Sequence, residues 1–127
     1  MSSQAKPVSL ADIQTISTDA KHDGRNIVIL DVRRPAEYEA GHVPNAINIQ
    51  VDELQEALKL PKDQFKQSYS FDLPSPDSDT EGVVVYCGGG GRAARAAGYL
   101  SDAMFENNLY IYSPGWKEFS TTIKKPE

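Results

Sequence analysis

Cysteine is nearly absent from this sequence of 127 residues: there is one, at position 87. No internal disulfide can form, so the fold does not depend on an oxidising compartment. Basic residues are also scarce, 13 Lys and Arg against 18 Asp and Glu, a formal net charge of −5. That balance argues against nucleic acid or an anionic membrane as partner, since both need a basic surface. No apolar run approaches the length of a membrane span. The opening residues MSSQAKPVSL hold neither an apolar signal core nor the arginine-rich, acid-poor pattern of a transit peptide. A cytoplasmic location is the expectation. His22 and His42 are far apart and Cys87 has no cysteine neighbour, so no metal-ligand spacing is present. What remains, 39% hydrophobic and 24% charged residues, is the composition of an ordinary soluble domain. A chain of this length reads as one domain and can bury roughly two-thirds of its unfolded surface.

Two segments read as strands covered on both faces. NIVILDV (26–32) and GVVVYC (82–87) are continuous β-branched runs rather than alternating ones, the pattern of a parallel sheet. AINI (46–49) and LYIY (109–112) are shorter strand candidates. Helical stretches lie between them. Ser9 and Asp12 form a capped start for 10–17, and PAEYEA (35–40) has proline in its first turn and Gly41 as a stop. VDELQEAL (51–58), KDQFKQSY (62–69) and RAARAAGYLSDAM (92–104) follow, and GWKEFSTTI (115–123) supplies a last turn or two. The segment 71–82, with two prolines and four acidic residues, reads as an exposed loop. Alternation of strand and helix predicts an α/β domain with a mainly parallel sheet.

The stretch VVVYCGGGGRAARAAGYL (83–100) carries the chemistry. Taken alone, a cysteine ending a strand reads as a small hydrophobe and a glycine run as a linker. A linker, however, does not ordinarily join a buried strand to a strong helix within one compact domain. Strand, tight glycine loop and helix together put Cys87 where the first N–H groups of a helix lack partners and its dipole is positive. Gly88, Gly89, Gly90 and Gly91 can turn successive amides inward because no Cβ resists positive φ. Such a cradle binds an anion and favours the thiolate of Cys87, with Arg92 adding a fixed positive charge. A phosphate-binding P-loop is excluded, because GGGGRA lacks the Lys-Ser/Thr pair. In a parallel sheet the carboxyl ends of 27–32 and 83–87 share one edge, so Arg33 and Arg34 emerge beside Cys87 and Arg92. Arg33 is therefore a candidate for binding an anionic substrate; its alternative is an ion pair with Glu37 that closes the turn. Asp31 and His42 read as turn-fixing residues rather than acid–base groups, and Arg95 as solvent-exposed.

DVRRPAEYEAGHVPNAINI (31–49) resembles the rhodanese-domain motif Asp-Val-Arg, Glu-Tyr, then Gly-His-Val/Ile-Pro-x-Ala-x-Asn, and CGGGGR (87–92) is similar to the sulfurtransferase loop Cys-x-x-Gly-x-Arg. Order and separation match together over nearly the whole chain. Residues 51–79 resemble the insertion of small single-domain thiosulfate:glutathione sulfurtransferases. The resemblance implies one domain over 1–127 (core about 8–124) and a rhodanese-like, five-stranded parallel sheet flanked by helices on both faces. It further implies sulfur transfer from thiosulfate to a thiol or cyanide through a persulfide on Cys87. No metal or organic cofactor is implied, and no assembly beyond a monomer or weak homodimer. Two alternatives stay open: a rhodanese-like module that serves only for binding, and a phosphatase on the same fold. Phosphatase loops of this kind place five residues between Cys and Arg, whereas four separate Cys87 from Arg92. The chain departs from the family pattern at Phe105-Glu106 and at YSPGWKEF (112–119), which puts the wall beside the site in question.

Overall fold

The computed structural model describes residues 5–89 and 91–123. A six-stranded sheet runs through the centre in the order β1 (Lys6–Pro7), β6 (Leu109–Tyr112), β5 (Glu81–Tyr86), β3 (Arg25–Asp31), β2 (Lys21–His22), with β4 (Ile47–Asn48) also on β3. All pairings are parallel except β2 with β3, a short antiparallel hairpin. The sheet therefore has one more strand than expected. The excess lies in two-residue strands such as β1 and β2, which are too short to show a hydrophobic pattern.

β3 and β5 form the spine. They pair from Asn26 opposite Glu81 to Asp31 opposite Tyr86, so both strands end at the same level. Side chains alternate across them, as the pleat requires. Val83, Val85 and Cys87 point to one face, where α3 (Val51–Ala57), α4 (Lys62–Tyr69) and α5 (Gly91–Asp102) pack through Leu54, Phe65, Ala96 and Leu100. Val84 and Tyr86 point to the other, against Ile13 and Ile16 of α1 (Leu10–Asp19) and Phe119 of α6 (Gly115–Phe119). α2 (Pro35–Ala40) sits between β3 and β4.

The local signals that start these helices act as expected. Ser9 Oγ accepts from the Asp12 amide at 3.1 Å, and Asp12 accepts from the Ser9 amide at 3.0 Å, closing a capping box on α1. Proline opens α2, and Ala20 ends α1 in the left-handed region at φ 58°. α5 ends at Asp102, two residues short of its expected span, because the chain turns at Met104 with φ 77°. Among the described residues no helix is long and apolar enough to cross a membrane.

Candidate active site

Cys87 follows the last residue of β5 directly and lies just ahead of α5. It is 1% exposed and belongs to the core cluster with Val85, Ala93 and Ala96. Gly88 is half-buried and Gly89 exposed, so the chain rises from the core to the surface within two residues. Gly90 lies outside the described residues.

What holds the loop open comes from the end of the chain, and the sequence reading did not anticipate it. The Trp116 amide donates to the Cys87 carbonyl at 2.8 Å, and the Lys117 amide to the Gly88 carbonyl at 2.9 Å. These donors belong to the first turn of α6 and have no partner inside their own helix. No peptide bond among the described residues is cis. In a trans peptide the N–H points opposite the carbonyl. The Gly88 and Gly89 amides therefore face away from α6. Gly115, at φ +65°, makes this contact possible: a Cβ there would overlap the Cys87 carbonyl. The detectable signal was Pro114-Gly115 immediately before Trp116, a turn in front of a short helix.

One physical expectation for the glycines is corrected. The described glycines with positive φ are Gly24, Gly41 and Gly115, and neither Gly88, Gly89 nor Gly91 is among them. Among the described residues of the loop, the Gly88 and Gly89 amides are aimed by the α6 contacts and not by positive φ. At Gly89 an added Cβ would make an ordinary 3.4 Å contact with the Pro114 carbonyl, and at Gly88 a tighter 3.2 Å contact with the Arg92 guanidinium. Gly89→Ala is therefore expected to preorganise the loop and keep or raise the activity of the site by up to about twofold, with stability up by roughly 0.4–1 kcal/mol. Initial rates and a chemical denaturation curve check this; a tenfold loss of rate would show that Gly89 needs its bare backbone.

Arg33 is also placed differently. It is 3% exposed and turned inward, donating to Asp31 at 2.6 Å and to the Gly41 carbonyl at 2.7 Å. Its partner is Asp31, not the Glu37 of the alternative reading, and its guanidinium is buried. Burial opposes its charge, but Asp31 more than compensates and raises its pKa. Asp31 also accepts from the Tyr86 hydroxyl at 2.7 Å, and that hydroxyl accepts from the Val43 amide. Burial pushes the Tyr86 phenol well above its ordinary pKa, and Asp31 adds to the effect. This buried network locks the ends of β3 and β5 to the 41–43 turn. His42 stacks on Tyr38 at 3.8 Å and meets the Tyr38 carbonyl through Nδ1 at 2.8 Å, both contacts within the turn.

Glu37 pairs instead with Arg92. The guanidinium grips it with two bonds of 2.6 and 3.2 Å, bringing α5 to α2. Those bonds hold the Glu37 carboxyl at about 2, far below the usual carboxylate range. Arg92 in turn is raised chiefly by Glu37, with a smaller contribution from charge on Cys87, which places the guanidinium within electrostatic reach of the sulfur. Arg92 is thus at the rim of the cradle and already engaged. Arg95 is 52% exposed, bonded to the Tyr99 hydroxyl and 3.4 Å from Asp52. The Arg33 guanidinium lies 5.3 Å from the centre of the Trp116 ring, and Phe119 is buried with Val84 and Tyr86 on the face of the sheet opposite Cys87.

A cavity of about 530 Å³ opens beside Arg92, lined by Val32, Arg34, Glu37, Gln50, Asp52 and Arg95 among others. A second, of about 290 Å³, is mostly apolar and lies away from Cys87 among α3, α4 and the 73–76 loop.

Comparison with known proteins agrees with this geometry. The rhodanese-like domain family matches residues 16–122. A Schizosaccharomyces pombe protein assigned as a mitochondrial thiosulfate sulfurtransferase is 31% identical over 97% of this chain and 85% of its own. The thiosulfate:glutathione sulfurtransferase of Saccharomyces cerevisiae is 35% identical over 85% of this chain and 78% of its own. Among solved structures, a human single-domain sulfurtransferase superimposes with a TM-score of 0.80 at 25% identity, covering 94% of this chain and 99% of that one.

Proposed function

Since the chain belongs to the rhodanese-like family, with sulfurtransferases matching it over most of its length, we propose that it carries sulfane sulfur from thiosulfate to a low-molecular-weight thiol through a persulfide on Cys87. The observation that carries this reading is the loop geometry. Cys87 sits directly ahead of α5, and the Gly88 and Gly89 amides are turned away from α6 by its first-turn donors.

In the first half-reaction the Cys87 thiolate attacks the outer sulfur of thiosulfate. The S–S bond of the donor breaks, sulfite leaves with the bonding pair, and Cys87 keeps the transferred sulfur as a persulfide anion. The loop amides and the N-terminal turn of α5 offset the negative charge on donor and persulfide. In the second, an acceptor thiolate attacks the outer sulfur of that persulfide. The S–S bond breaks towards Cys87, which returns as thiolate, and the acceptor leaves as a persulfide. There is no second cysteine in the sequence to resolve the intermediate, so the acceptor comes from outside the chain.

The four-residue spacing from Cys87 to Arg92 supports sulfur over phosphate, since a tetrahedral phosphoryl group needs a wider ring of amides. The test is intact mass after thiosulfate treatment followed by desalting. A gain of one sulfur atom, reversed by glutathione or cyanide, is the expected result; an unchanged mass with a folded protein would refute the reading.

A further inference from the structure

The cavity beside Arg92 carries no role in the chemistry above, and its side chains are unusual for this protein. In a chain of net charge −5, one concavity gathers Arg34, Arg92 and Arg95 with the acids Glu37 and Asp52 and the amide Gln50. Resting on the sulfurtransferase reading, we infer that this groove is the subsite for the acceptor: a small zwitterionic thiol carrying carboxylates, of which glutathione is the type.

The groove meets the Cys87 loop through Arg92. Arg92 lines it, and the Arg92 guanidinium lies 3.2 Å from where a Gly88 Cβ would stand, next to the nucleophile in sequence. A volume of about 530 Å³ falls within the range of small-molecule sites. The three arginines are not equivalent. Arg92 is held by both oxygens of Glu37. Arg95 faces Asp52 at 3.4 Å in an exposed pair, which costs little to exchange for a ligand carboxylate. Arg34 is exposed and has no ion pair among the described residues. Arg34 is therefore the principal carboxylate anchor and Arg95 the second. Asp52 and Gln50, 3.2 Å apart, offer oxygens to an ammonium or amide of the same ligand. A simple dianion would gain nothing from that acidic side, whereas a molecule with two carboxylates and one ammonium uses both.

The sulfur path is the second half-reaction already written, with the acceptor held by its carboxylates while its thiolate meets the outer persulfide sulfur; no oxidant or reductant enters. The test separates binding from chemistry. S-methylglutathione, which cannot accept sulfur, and its diethyl ester are titrated calorimetrically into the full-length protein and into Arg34→Gln. The native protein should bind the acid at least about tenfold more tightly than the ester, the worth of one charge-assisted pair. Arg34→Gln should erase that preference and raise KM for glutathione about as much, with kcat little changed. Equal binding of acid and ester, a preference that survives Arg34→Gln, or discharge of the persulfide by a protein dithiol with no tripeptide binding would overturn the inference. Intact mass after thiosulfate judges the sulfur chemistry separately, because the titration does not depend on it.

Discussion

Cys87→Ser is expected to leave a folded protein that takes up no sulfur from thiosulfate. A serine oxygen cannot form the persulfide, and its hydroxyl stays protonated where a thiolate is required. The loss should be complete within detection, on the order of a thousandfold or more. Burial complicates only the choice of variant. Cys87 is 1% exposed and packs with Ala93 and Ala96, so a hydroxyl there costs about 1–3 kcal/mol if it finds no partner. Cys87→Ala avoids that cost and should be equally inactive. Sulfite release and circular dichroism on both variants decide the matter. Sulfur transfer by either folded variant would remove Cys87 from the reaction. Loss of the fold in both would identify the thiol as a packing residue.

The second large effect is expected far from Cys87 in sequence. Gly115→Ala places a methyl group on the Cys87 carbonyl and asks alanine to hold φ +65°. The left-handed conformation alone costs roughly 1–2 kcal/mol. The steric overlap is with backbone, which cannot swing aside as a side chain can. Either α6 retreats and releases the Trp116 and Lys117 bonds, or the Cys87–Gly88 peptide rotates; both misdirect the loop amides. Activity should fall roughly ten- to a hundredfold, the rate equivalent of about 1.4–2.8 kcal/mol. The core should remain. Gly98→Ala is the matched control, since nothing lies within 4 Å of its missing Cβ and it sits inside α5. It should preserve activity and add about 0.5–1 kcal/mol of stability. A Gly115→Ala variant with native kcat/KM would show that the α6 contact does not set the loop.

Where the sequence was informative, the signal was local. Pro35 and Gly41 bound α2 in the chain and in the structure alike, and Ser9 with Asp12 marked the start of α1. Continuous β-branched runs located β3 and β5 and implied helices on both faces. The strand ending at Cys87, the glycine loop and the flanking helix were legible because they are consecutive. What escaped was long-range pairing. Arg33 has Asp31 two residues before it and Glu37 four residues after it, and nothing in the spacing decides between them. Asp31 is held inside by the hydroxyl of Tyr86, 55 positions from Asp31 in the chain. Arg92 then becomes the partner of Glu37, again across 55 positions. The loop's orientation depends on donors from residues 116 and 117, which no reading of residues 87–92 contains.

That last dependence has a consequence for how the molecule is made. Residues 115–117 leave the ribosome after every strand among the described residues has been synthesised. Domains fold as units during and after translation, with the earlier segments available first. The sheet and α5 can assemble while the carbonyls of Cys87 and Gly88 still lack the donors that will fix them. Until residues 116 and 117 have been added, the nascent chain holds its thiol against a loop whose carbonyls lack these donors.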